Sequence, residues 1–599
     1  MINKMKSFIT DNQKDLKYIT VLTIFLLIIT IPKLLVQYNI GIGNWDTYLY
    51  LENGRAFAKM GWGDVPSIAP VLPVILSKMF LIAQHPYKEA IFNVDAFFYV
   101  IGVLAFYLLL RLRFDENTSL VGSAVYSTFT LLYSWVAIGG NDIIGVCGTI
   151  LTVYLFIIAH KYNHKLYFLA FPVAAYAFLS RYTAGVMIFS ILFYLVISKV
   201  DLNEIKHMIV GAILGVASIA WFLNEFYIHL GTPFPFLGQF SGTVSNTVVL
   251  DSGYLPDSWY YIKHIPNYLV SYVPDVESFN AIVNPMGNVP SIFSYLYIVL
   301  FVLAFLFMIN RAYRTVKNSE KSLSGKDYGL LMLSAFLMLV FLFTLGSISY
   351  VVSSIIFLVV LFIIWKVLKC YNIENLDYEL VMISLLVTYL IFQSILFTKN
   401  DRYFITVLPF IAYFITYALN EVLTHVRGLE KGNTVVKAFS ALIIIALLLN
   451  TMIFVSEIPA GNDYENIGEA CEWLMNNRNI SNYTIIYSDN WPAATWYLNI
   501  FVQRGVLNTS NAESRINFSR EILTQNSTHH ASSYFIDTTS FIKEDYPGLN
   551  YVKSVNSVGI YENKYLKYGT DYFNTEEYSD NLENDINEFN RTRVDYVWY

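Results

Sequence analysis

The sequence predicts a polytopic α-helical membrane protein with an α/β domain at its C-terminal end. The chain has 599 residues, of which 55% are hydrophobic and 14% are charged, and its mean hydropathy is +0.47. A composition this apolar exceeds what one water-soluble domain can bury, so much of the chain must face lipid. The tail is instead polar and rich in Asn and Tyr. We therefore expect a membrane domain over residues 1–459 and a soluble domain over residues 460–599.

Thirteen apolar runs are candidate membrane spans. A helix needs about 20 apolar residues to cross about 30 Å of hydrocarbon, or fewer where the membrane is thin. The runs cover residues 18–36, 91–110, 120–138, 143–159, 166–179, 182–197, 205–227, 291–309, 328–345, 350–367, 380–397, 403–419 and 438–455. The run Ser67–Phe80 is also apolar, but Pro70, Pro73 and Lys78 interrupt it. This pattern predicts an interfacial helix instead of a span.

The basic residues assign sides to these spans, because short cytoplasmic loops are rich in Lys and Arg. With the N-terminus inside, the basic loops around residues 111–113, 160–165, 199–206, 311–326, 366–369 and 427–431 all fall inside. The outer side then holds the loops 37–90 and 229–290, the turns 139–142, 179–183 and 399–404, and the tail. Isolated charges at span ends thus collect at one face, where Lys33 can snorkel outward.

The tail has the alternating patterns of a small α/β domain. Helical patterns cover residues 464–476, 492–498 and 515–523, and strand patterns cover 483–488, 533–537, 551–555 and 558–561. Six Asn-x-Ser/Thr triplets, some of them due to chance, fit an exported domain: Asn479, Asn482, Asn508, Asn517, Asn526 and Asn590. The three cysteines are too scattered for a disulfide framework or a zinc site.

The stretch GIGNWDTYLYLENGR in the first outer loop carries charges beside an apolar run. Asp46, Tyr50 and Asn53 recur at helical spacing, so we expect a helix over residues 45–59 with Asn44 as its cap. One interpretation is a reactive stripe of polar side chains. The other is a solvated interfacial helix whose polar side chains face water.

Four further charges lie at the predicted outer face. Taken singly, Asp142 is an ordinary helix cap, Arg181 a snorkelling anchor, and Lys399 with Arg402 a headgroup contact. Taken together with Asp46, they suit a reaction on a lipid-borne phosphate. A carboxylate can accept the proton of an incoming hydroxyl, and Arg and Lys can hold the phosphate that leaves. One displacement with one base inverts the anomeric carbon, and protein cations alone can stabilise the leaving group.

The order of these motifs resembles a known superfamily. An acid lies in NWDTYLYLENGRAFA, and a Pro-rich run, APVLPVILSKMF, follows. The later motifs are GGNDIIG, LSRYTAG and KNDRYFITVLP. With about 13 spans and an outer C-terminal domain, the chain resembles the GT-C superfamily of polyprenyl-phosphate-sugar glycosyltransferases. Within it, the chain is similar to relatives of the protein O-mannosyltransferases and of the lipid A aminoarabinose transferases.

The resemblance implies roles for individual residues. Asp46 matches the first-loop acid, the expected general base, and Asp142 matches the second acid. Arg181 matches the basic position after the fifth span. The turn with Lys399, Arg402 and Tyr403 is expected near the donor phosphate. Tyr50 and Lys78 complete the expected substrate-binding set.

Three departures leave the substrates open. Thr47 follows Asp46, so the Asp-Glu pair of protein O-mannosyltransferases is missing. The Lys-Pro-Pro of aminoarabinose transferases and the WWDYG of oligosaccharyltransferases are missing too, and Lys78 is only a loose substitute. We expect an inverting transfer of a sugar from a polyprenyl phosphate to a protein, lipid or glycan acceptor, at the extracytoplasmic face of the cell membrane.

No cofactor is required by this chemistry, and a divalent metal is left open. The histidines at 85, 229 and 264 show no paired metal-ligand spacing, and no basic block suggests nucleic acid. The loop 229–290, with its aromatic segment 259–268, is either a lid or an ordered interfacial loop.

Two other classes of protein remain. A transporter or lipid-linked glycan flippase usually holds its charges near the midplane of repeated halves. A membrane-anchored binding protein would instead need a recognisable site in the tail.

Overall fold

The structure is a computed structural model that describes the chain with several gaps. It describes residues 2–63, 68–235, 237, 257–272, 283, 285–319, 323–396, 399–428, 432–459, 461, 464–505, 512–527, 529–538 and 545–592. The chain forms two compact units, which we describe separately. Unit 1 contains residues 1–39, 67–72 and 92–460, and unit 2 contains residues 40–66, 73–91 and 461–599. The predicted boundary at 459/460 stays a prediction.

Helices make up most of the chain up to residue 456. In chain order they are α1 (Ile2–Ile40), α2 (Trp45–Phe57), α3 (Val71–Ala83), α4 (Glu89–Arg111), α5 (Glu116–Ser127), α6 (Thr130–Ser134), α7 (Asn141–Lys161), α8 (Tyr167–Ser180), α9 (Met187–Ile197), α10 (Leu202–Leu230), α11 (Tyr260–Leu269), α12 (Ile292–Lys317), α13 (Gly325–Thr344), α14 (Tyr350–Leu368), α15 (Leu376–Ile395), α16 (Leu408–Arg427) and α17 (Gly432–Ser456). A two-stranded antiparallel ribbon, β1 (Ser271–Tyr272) with β2 (Val289–Pro290), lies between α11 and α12.

Nine helices in the described part of the chain are long and apolar enough to cross a membrane. They are Asp15–Ile40, Glu89–Arg111, Asn141–Lys161, Leu202–Ile228, Ile292–Lys317, Gly325–Thr344, Tyr350–Tyr371, Leu376–Ile395 and Gly432–Ser456. Large apolar side chains stay exposed along several of them, as on α12 and α13. Lipid is the medium in which such surfaces are stable. The prediction of a polytopic helical membrane protein is confirmed.

The other four predicted spans coincide with helices that are shorter or broken. The run 120–138 is divided at Thr128 between α5 and α6, and α8 has 14 residues with Pro172 inside. A helix of that length extends about 21 Å, which is less than the hydrocarbon thickness. The runs 182–197 and 403–419 each begin with a 3₁₀ turn before α9 and α16.

Close backbone contact holds α10 against α8 in unit 1. A Cβ atom built on Gly211 would lie 2.5 Å from the carbonyl oxygen of Tyr167, so only glycine fits there. Small residues of this kind let membrane helices approach each other without a hydrophobic driving force. Asp201 caps α10 by accepting a hydrogen bond from the backbone N–H of Glu204, at 2.7 Å.

Unit 2 combines the first-loop helices α2 and α3 with an α/β layer from the tail. Its further elements are α18 (Tyr464–Asn477), β3 (Ile486–Ser488), α19 (Trp491–Leu498), β4 (Gln503–Arg504), α20 (Ala512–Leu523), β5 (Tyr534–Asp537), β6 (Leu549–Val555), β7 (Val558–Asn563) and α21 (Glu576–Thr592). The predicted tail helices and strands are confirmed within a few residues. The edge strand β4 and the last helix α21 were not predicted.

The sheet of unit 2 has the order β4-β3-β5-β7-β6. Strand β3 is parallel to β4 and β5, whereas β7 is antiparallel to β5 and β6. The register aligns Tyr487, Phe535 and Tyr561 in one row across three strands. This row packs in the core with Phe518 and Tyr578 from α20 and α21. The apolar alternation in the tail therefore encodes one buried face of the sheet.

Candidate functional site

The acid and the base at the ends of α7 and α8 form a buried ion pair. Asp142 lies in the first turn of α7, and Arg181 directly follows α8 in an extended conformation. The Arg181 guanidinium contacts the Asp142 carboxylate, and their side chains are 6% and 1% exposed. Arg181 Nε also donates to Thr183 Oγ1 at 2.9 Å. Both groups are desolvated, so each depends on the other for compensation.

A glycine on α7 makes room for the Arg181 side chain. A Cβ atom built on Gly145 would lie 2.6 Å from Arg181 Cβ and 3.1 Å from its Cδ. Gly145 is one turn below Asp142 on the same helix. The side chain therefore passes over the bare backbone of α7 to reach the carboxylate.

Two arginines and two aromatic rings alternate beside this ion pair. The guanidinium of Arg181 lies 5.4 Å from the ring centroid of Tyr403, and that of Arg402 lies 5.6 Å from the same ring. Arg402 also lies 5.5 Å from the ring of Trp135. Aromatic faces hold guanidinium groups by cation–π attraction. Two cations are thus fixed around Tyr403, and Arg402 and Tyr403 are partly exposed.

The turn that supplies these residues is a 3₁₀ helix, Asp401–Thr406. Asn400 caps it by accepting a hydrogen bond from the backbone N–H of Arg402, at 3.2 Å. Lys399 points the other way, toward the end of α15. Its ammonium donates to the carbonyl oxygens of Gln393 and Ser394, both at 2.8 Å, and to that of Leu396. Burial lowers the pKa of Lys399 to about 8, and the nearby charge of Asp257 opposes this shift. Lys399 thus acts as a C-terminal helix cap in this structure.

Three tyrosines of α11 hold the same turn. The hydroxyls of Tyr260 and Tyr268 donate to Asp401 Oδ1 at 2.7 and 2.9 Å. The Tyr261 hydroxyl donates to the carbonyl oxygen of Asn400 at 3.0 Å. This end of the predicted loop 229–290 is therefore packed and hydrogen-bonded. Residues 238–256 of the loop lie outside the described residues, so the choice between a lid and an interfacial loop stays a prediction.

The remaining predicted site residues lie in unit 2. Helix α2 covers Trp45–Phe57, and Asn44 caps it by accepting from the backbone N–H of Asp46 at 2.9 Å. Both expectations are confirmed. Asp46 is partly exposed, whereas Tyr50 is buried. Lys78 is exposed on α3, the helix that the Pro-rich run was expected to form.

The interpretation of α2 as a solvated helix is wrong. Glu52 is fully buried and Arg55 is 3% exposed. The Arg55 guanidinium donates to the carbonyl oxygens of Trp496 and Thr495, at 2.9 and 3.0 Å, and stacks on the Trp496 ring. These charges attach α2 to α19. The sequence pattern of α2 could not reveal this attachment, because α19 is more than 400 residues away in sequence.

Several polar residues of unit 1 were not singled out from the sequence, although their position in apolar runs was a signal. Asp95 and Asp401 are each 2% exposed.

The prediction that Lys33 snorkels outward is wrong. Lys33 is fully buried, and its Nζ donates to Gln37 Oε1 at 3.2 Å. Intramembrane charges of this kind require internal partners.

One group of possible metal ligands occurs in the described part of the chain. Ligand atoms of His164, Asp201 and Glu204 all lie within 4.8 Å of one another. The Glu204 carboxylate already accepts hydrogen bonds from the hydroxyl of Tyr167 and a ring nitrogen of His160. These hydrogen bonds account for the buried carboxylate of Glu204, and we assign no ion to this group.

Comparisons with known proteins agree with this architecture. A family model described as dolichyl-phosphate-mannose-protein mannosyltransferase (PMT_2) matches residues 64–223. No curated protein sequence matches the chain at a significant level.

Two solved structures are similar over most of the chain. ArnT from Cupriavidus metallidurans bound to undecaprenyl phosphate is 8% identical, with a TM-score of 0.53, and the match covers 90% of this chain and 97% of that one. The Archaeoglobus fulgidus oligosaccharyltransferase in the apo form is 14% identical, with a TM-score of 0.47, and the match covers 87% of this chain and 69% of that one. At these identities the likeness to ArnT shows a shared fold alone.

The fold is that of a polytopic integral membrane protein of the GT-C class. Together with the family match, it supports a GT-C superfamily glycosyltransferase, as the motif order implied. The fold and the family match also support transfer of lipid-linked sugars in general.

Proposed function

We propose that this protein is an inverting glycosyltransferase that takes its sugar from a polyprenyl phosphate. The acceptor is a protein, lipid or glycan at the outer face of the cell membrane. The observation that carries this proposal is the Asp142–Arg181 pair with Arg402 and Tyr403 beside it. It combines fixed cations with a carboxylate at one helix terminus, which suits a phosphate monoester leaving group.

In the proposed reaction an acceptor hydroxyl oxygen attacks the anomeric carbon. The bond from that carbon to the phosphate oxygen breaks, and polyprenyl phosphate leaves with the electron pair. The hydroxyl proton passes to a carboxylate, for which Asp46 is our candidate on the strength of its motif. A single displacement inverts the anomeric configuration.

The chain's own residues have distinct parts in this proposal. Arg402 and Arg181 hold the phosphate oxygens, since guanidinium groups bind them bidentately. Asp142 keeps Arg181 oriented, and Tyr403 separates the two cations. Lys399 supports the turn through the carbonyl oxygens at the end of α15. Tyr50 and Lys78 remain candidates for contacts with substrate.

The proposal is tested by supplying the purified protein with a panel of labelled polyprenyl-phosphate sugars and membrane acceptors. We expect release of polyprenyl phosphate together with a product of inverted configuration, read by NMR of the anomeric proton. Movement of the intact lipid-linked sugar between leaflets, without release of the sugar, would favour the flippase alternative and contradict the proposal.

Asp46→Asn provides the test of the general base. The carboxamide cannot accept the proton, so we expect turnover to fall by about a hundredfold or more, with thermal stability close to wild type. Asp571→Asn, on an exposed turn of the tail, is the control for a generic loss of an acid. Near-normal turnover of the Asp46 variant would remove this residue from its role.

A further inference from the structure

A buried carboxylate in α4 binds the backbone of the turn before α7. Asp95 is 2% exposed, and its Oδ2 accepts a hydrogen bond from the backbone N–H of Gly139 at 3.2 Å. The backbone N–H groups of Ala137 and Ile138 lie near this carboxylate, and the Ile138 N–H donates to the carbonyl oxygen of Trp135 at 3.3 Å. The Gly139 bond is therefore the contact by which Asp95 holds the turn.

The countercharge comes from a third helix. Lys33 on α1 is fully buried and interacts electrostatically with Asp95, and its ammonium donates to Gln37 Oε1. Buried ionisable groups contribute little net stability compared with apolar residues of the same volume. We therefore look for a role of Asp95 other than holding α1 to α4.

The turn bound by Asp95 has a backbone that L-residues rarely adopt. Ala137 has φ +63° and Gly139 has φ +93°. The left-handed conformation of Ala137 is strained and persists only where its surroundings impose it. The bond from the Gly139 N–H to Asp95 supplies such a constraint, because it fixes the end of the turn.

This turn carries two residues of the candidate site, one at each end. Trp135, whose ring lies against Arg402, precedes the turn, and its Nε1 donates to the carbonyl oxygen of Val283 at 2.8 Å. Asp142, the partner of Arg181, follows it. A change in the turn would therefore displace both the acid and the aromatic support of Arg402.

We infer that Asp95, with Lys33 as its countercharge, is a positioning residue that sets the 137–139 turn and through it Asp142 and Trp135. This inference rests on the proposed function for its kinetic consequence. Its structural part, the constraint on the turn, can be measured without any reaction.

The experiment compares two charge-neutral variants that differ only in the acceptor at position 95. Lys33→Met with Asp95→Asn keeps a side-chain oxygen for Gly139, whereas Lys33→Met with Asp95→Leu has none. Asn and Leu are close in size, and neither variant leaves a buried charge. We expect amide hydrogen exchange over residues 136–140 to be faster in the leucine variant than in the asparagine variant, with exchange over α15 equal in both.

Turnover should follow the same order. We expect the leucine variant to be about tenfold to a hundredfold slower than the asparagine variant, because a small misplacement of the site is costly.

Each outcome decides the inference. Equal exchange in the two variants, or equal turnover, overturns it. If the leucine variant is not monodisperse, Asp95→Val with Lys33→Met also removes the acceptor oxygen and is read in the same way. A wild-type protein that transfers no sugar from any donor contradicts the proposed function alone, because the exchange measurement still tests the turn.

Discussion

The isolated charges of this chain are organised as buried pairs and hydrogen-bonded groups. Asp142 lies with Arg181, Asp95 with the backbone N–H of Gly139, and Lys399 with the carbonyl oxygens at the end of α15. Each group has exchanged water for a partner within the protein. Removing one member should therefore be worse than removing both, because the survivor keeps its desolvation cost.

The Asp142–Arg181 pair allows the loss of one buried charge to be compared with the loss of both. We expect Arg181→Ala to destabilise the protein by about 3–5 kcal/mol and to abolish transfer. Asp142→Asn combined with Arg181→Gln should recover much of the stability, since no charge is left unpaired, but no activity. The measurements are thermal unfolding in detergent and a transfer assay. A double variant as unstable as Arg181→Ala would show that the pair is not the source of the loss.

Arg402 is expected to act on donor affinity. It is partly exposed and lies against two rings, and the proposed function assigns its guanidinium to the phosphate of the donor. Arg402→Ala should weaken binding of polyprenyl phosphate by about tenfold to a hundredfold with a smaller effect on turnover. The control is Arg314→Ala, an exposed arginine on α12. Unchanged affinity, measured by calorimetry in detergent, would contradict this role.

At the level of elements, the site of unit 1 is built from helix ends. Asp142 lies in the first turn of α7, Arg181 directly follows α8, and Arg402 lies in the 3₁₀ turn before α16. Helix α11 holds that turn through the tyrosine bonds to Asp401 and Asn400. Rigid packing fixes the position of a helix end. The side chains at that end can still differ without disturbing the packed part of the helix.

The crossing of α7 by Arg181 depends on Gly145. Gly145→Ala would place a methyl group 2.6 Å from Arg181 Cβ, so either the helix or the arginine must move. We expect a stability loss of about 1–3 kcal/mol and a marked loss of transfer. Gly329→Ala on α13 is the matched control, because nothing lies within 4 Å of its Cβ position. Equal behaviour of the two variants in unfolding and transfer assays would refute the tight crossing.

At the scale of the whole molecule, the chain divides in a way that its order does not suggest. Residues 40–66 and 73–91 of the first loop cluster with the tail in unit 2. The contacts between α2 and α19 include Tyr48 with Tyr497, whose hydroxyl oxygens lie 3.2 Å apart, and Lys88 forms a 2.7 Å ion pair with Glu465 of α18. The first loop and the tail thus pack together in one unit.

Unit 2 should have a pH-dependent stability that originates at the end of β3. Burial raises the pKa of Asp489 to about 6, despite hydrogen bonds from Thr538 that oppose the shift. The protonated form is thus favoured in the folded state. This contribution to stability is complete below the unfolded pKa and is lost as pH rises through about 6. The loss amounts to about 3 kcal/mol.

We therefore expect unfolding of the purified protein to shift to lower temperature between about pH 4 and pH 7, with a smaller shift in Asp489→Asn. Asp571→Asn, at an exposed position, should behave as the wild type. An unfolding temperature of Asp489→Asn with the same pH slope as the wild type would rule out this group as the cause.

Local pattern was sufficient for much of this architecture. The hydrophobic runs predicted the long helices, since a helix that faces lipid or a buried core must be apolar along its length. Alternation predicted β3, β5, β6 and β7, and Asn44 predicted the start of α2. The ordered motifs also pointed to the GT-C fold. All of these depend on interactions within a few residues, or on the medium that surrounds the element.

Which polar side chains become buried partners was decided only by tertiary structure. Asp95 with Lys33 and the 137–139 turn, and Arg55 with the carbonyl oxygens of α19, unite segments that are far apart in sequence. Lys399 instead has local partners, the carbonyl oxygens at the end of α15, and its part in phosphate binding stays a prediction. A charge in a sequence shows that a partner is needed, because burial without one is too costly. Only the packed chain determines which group meets that need.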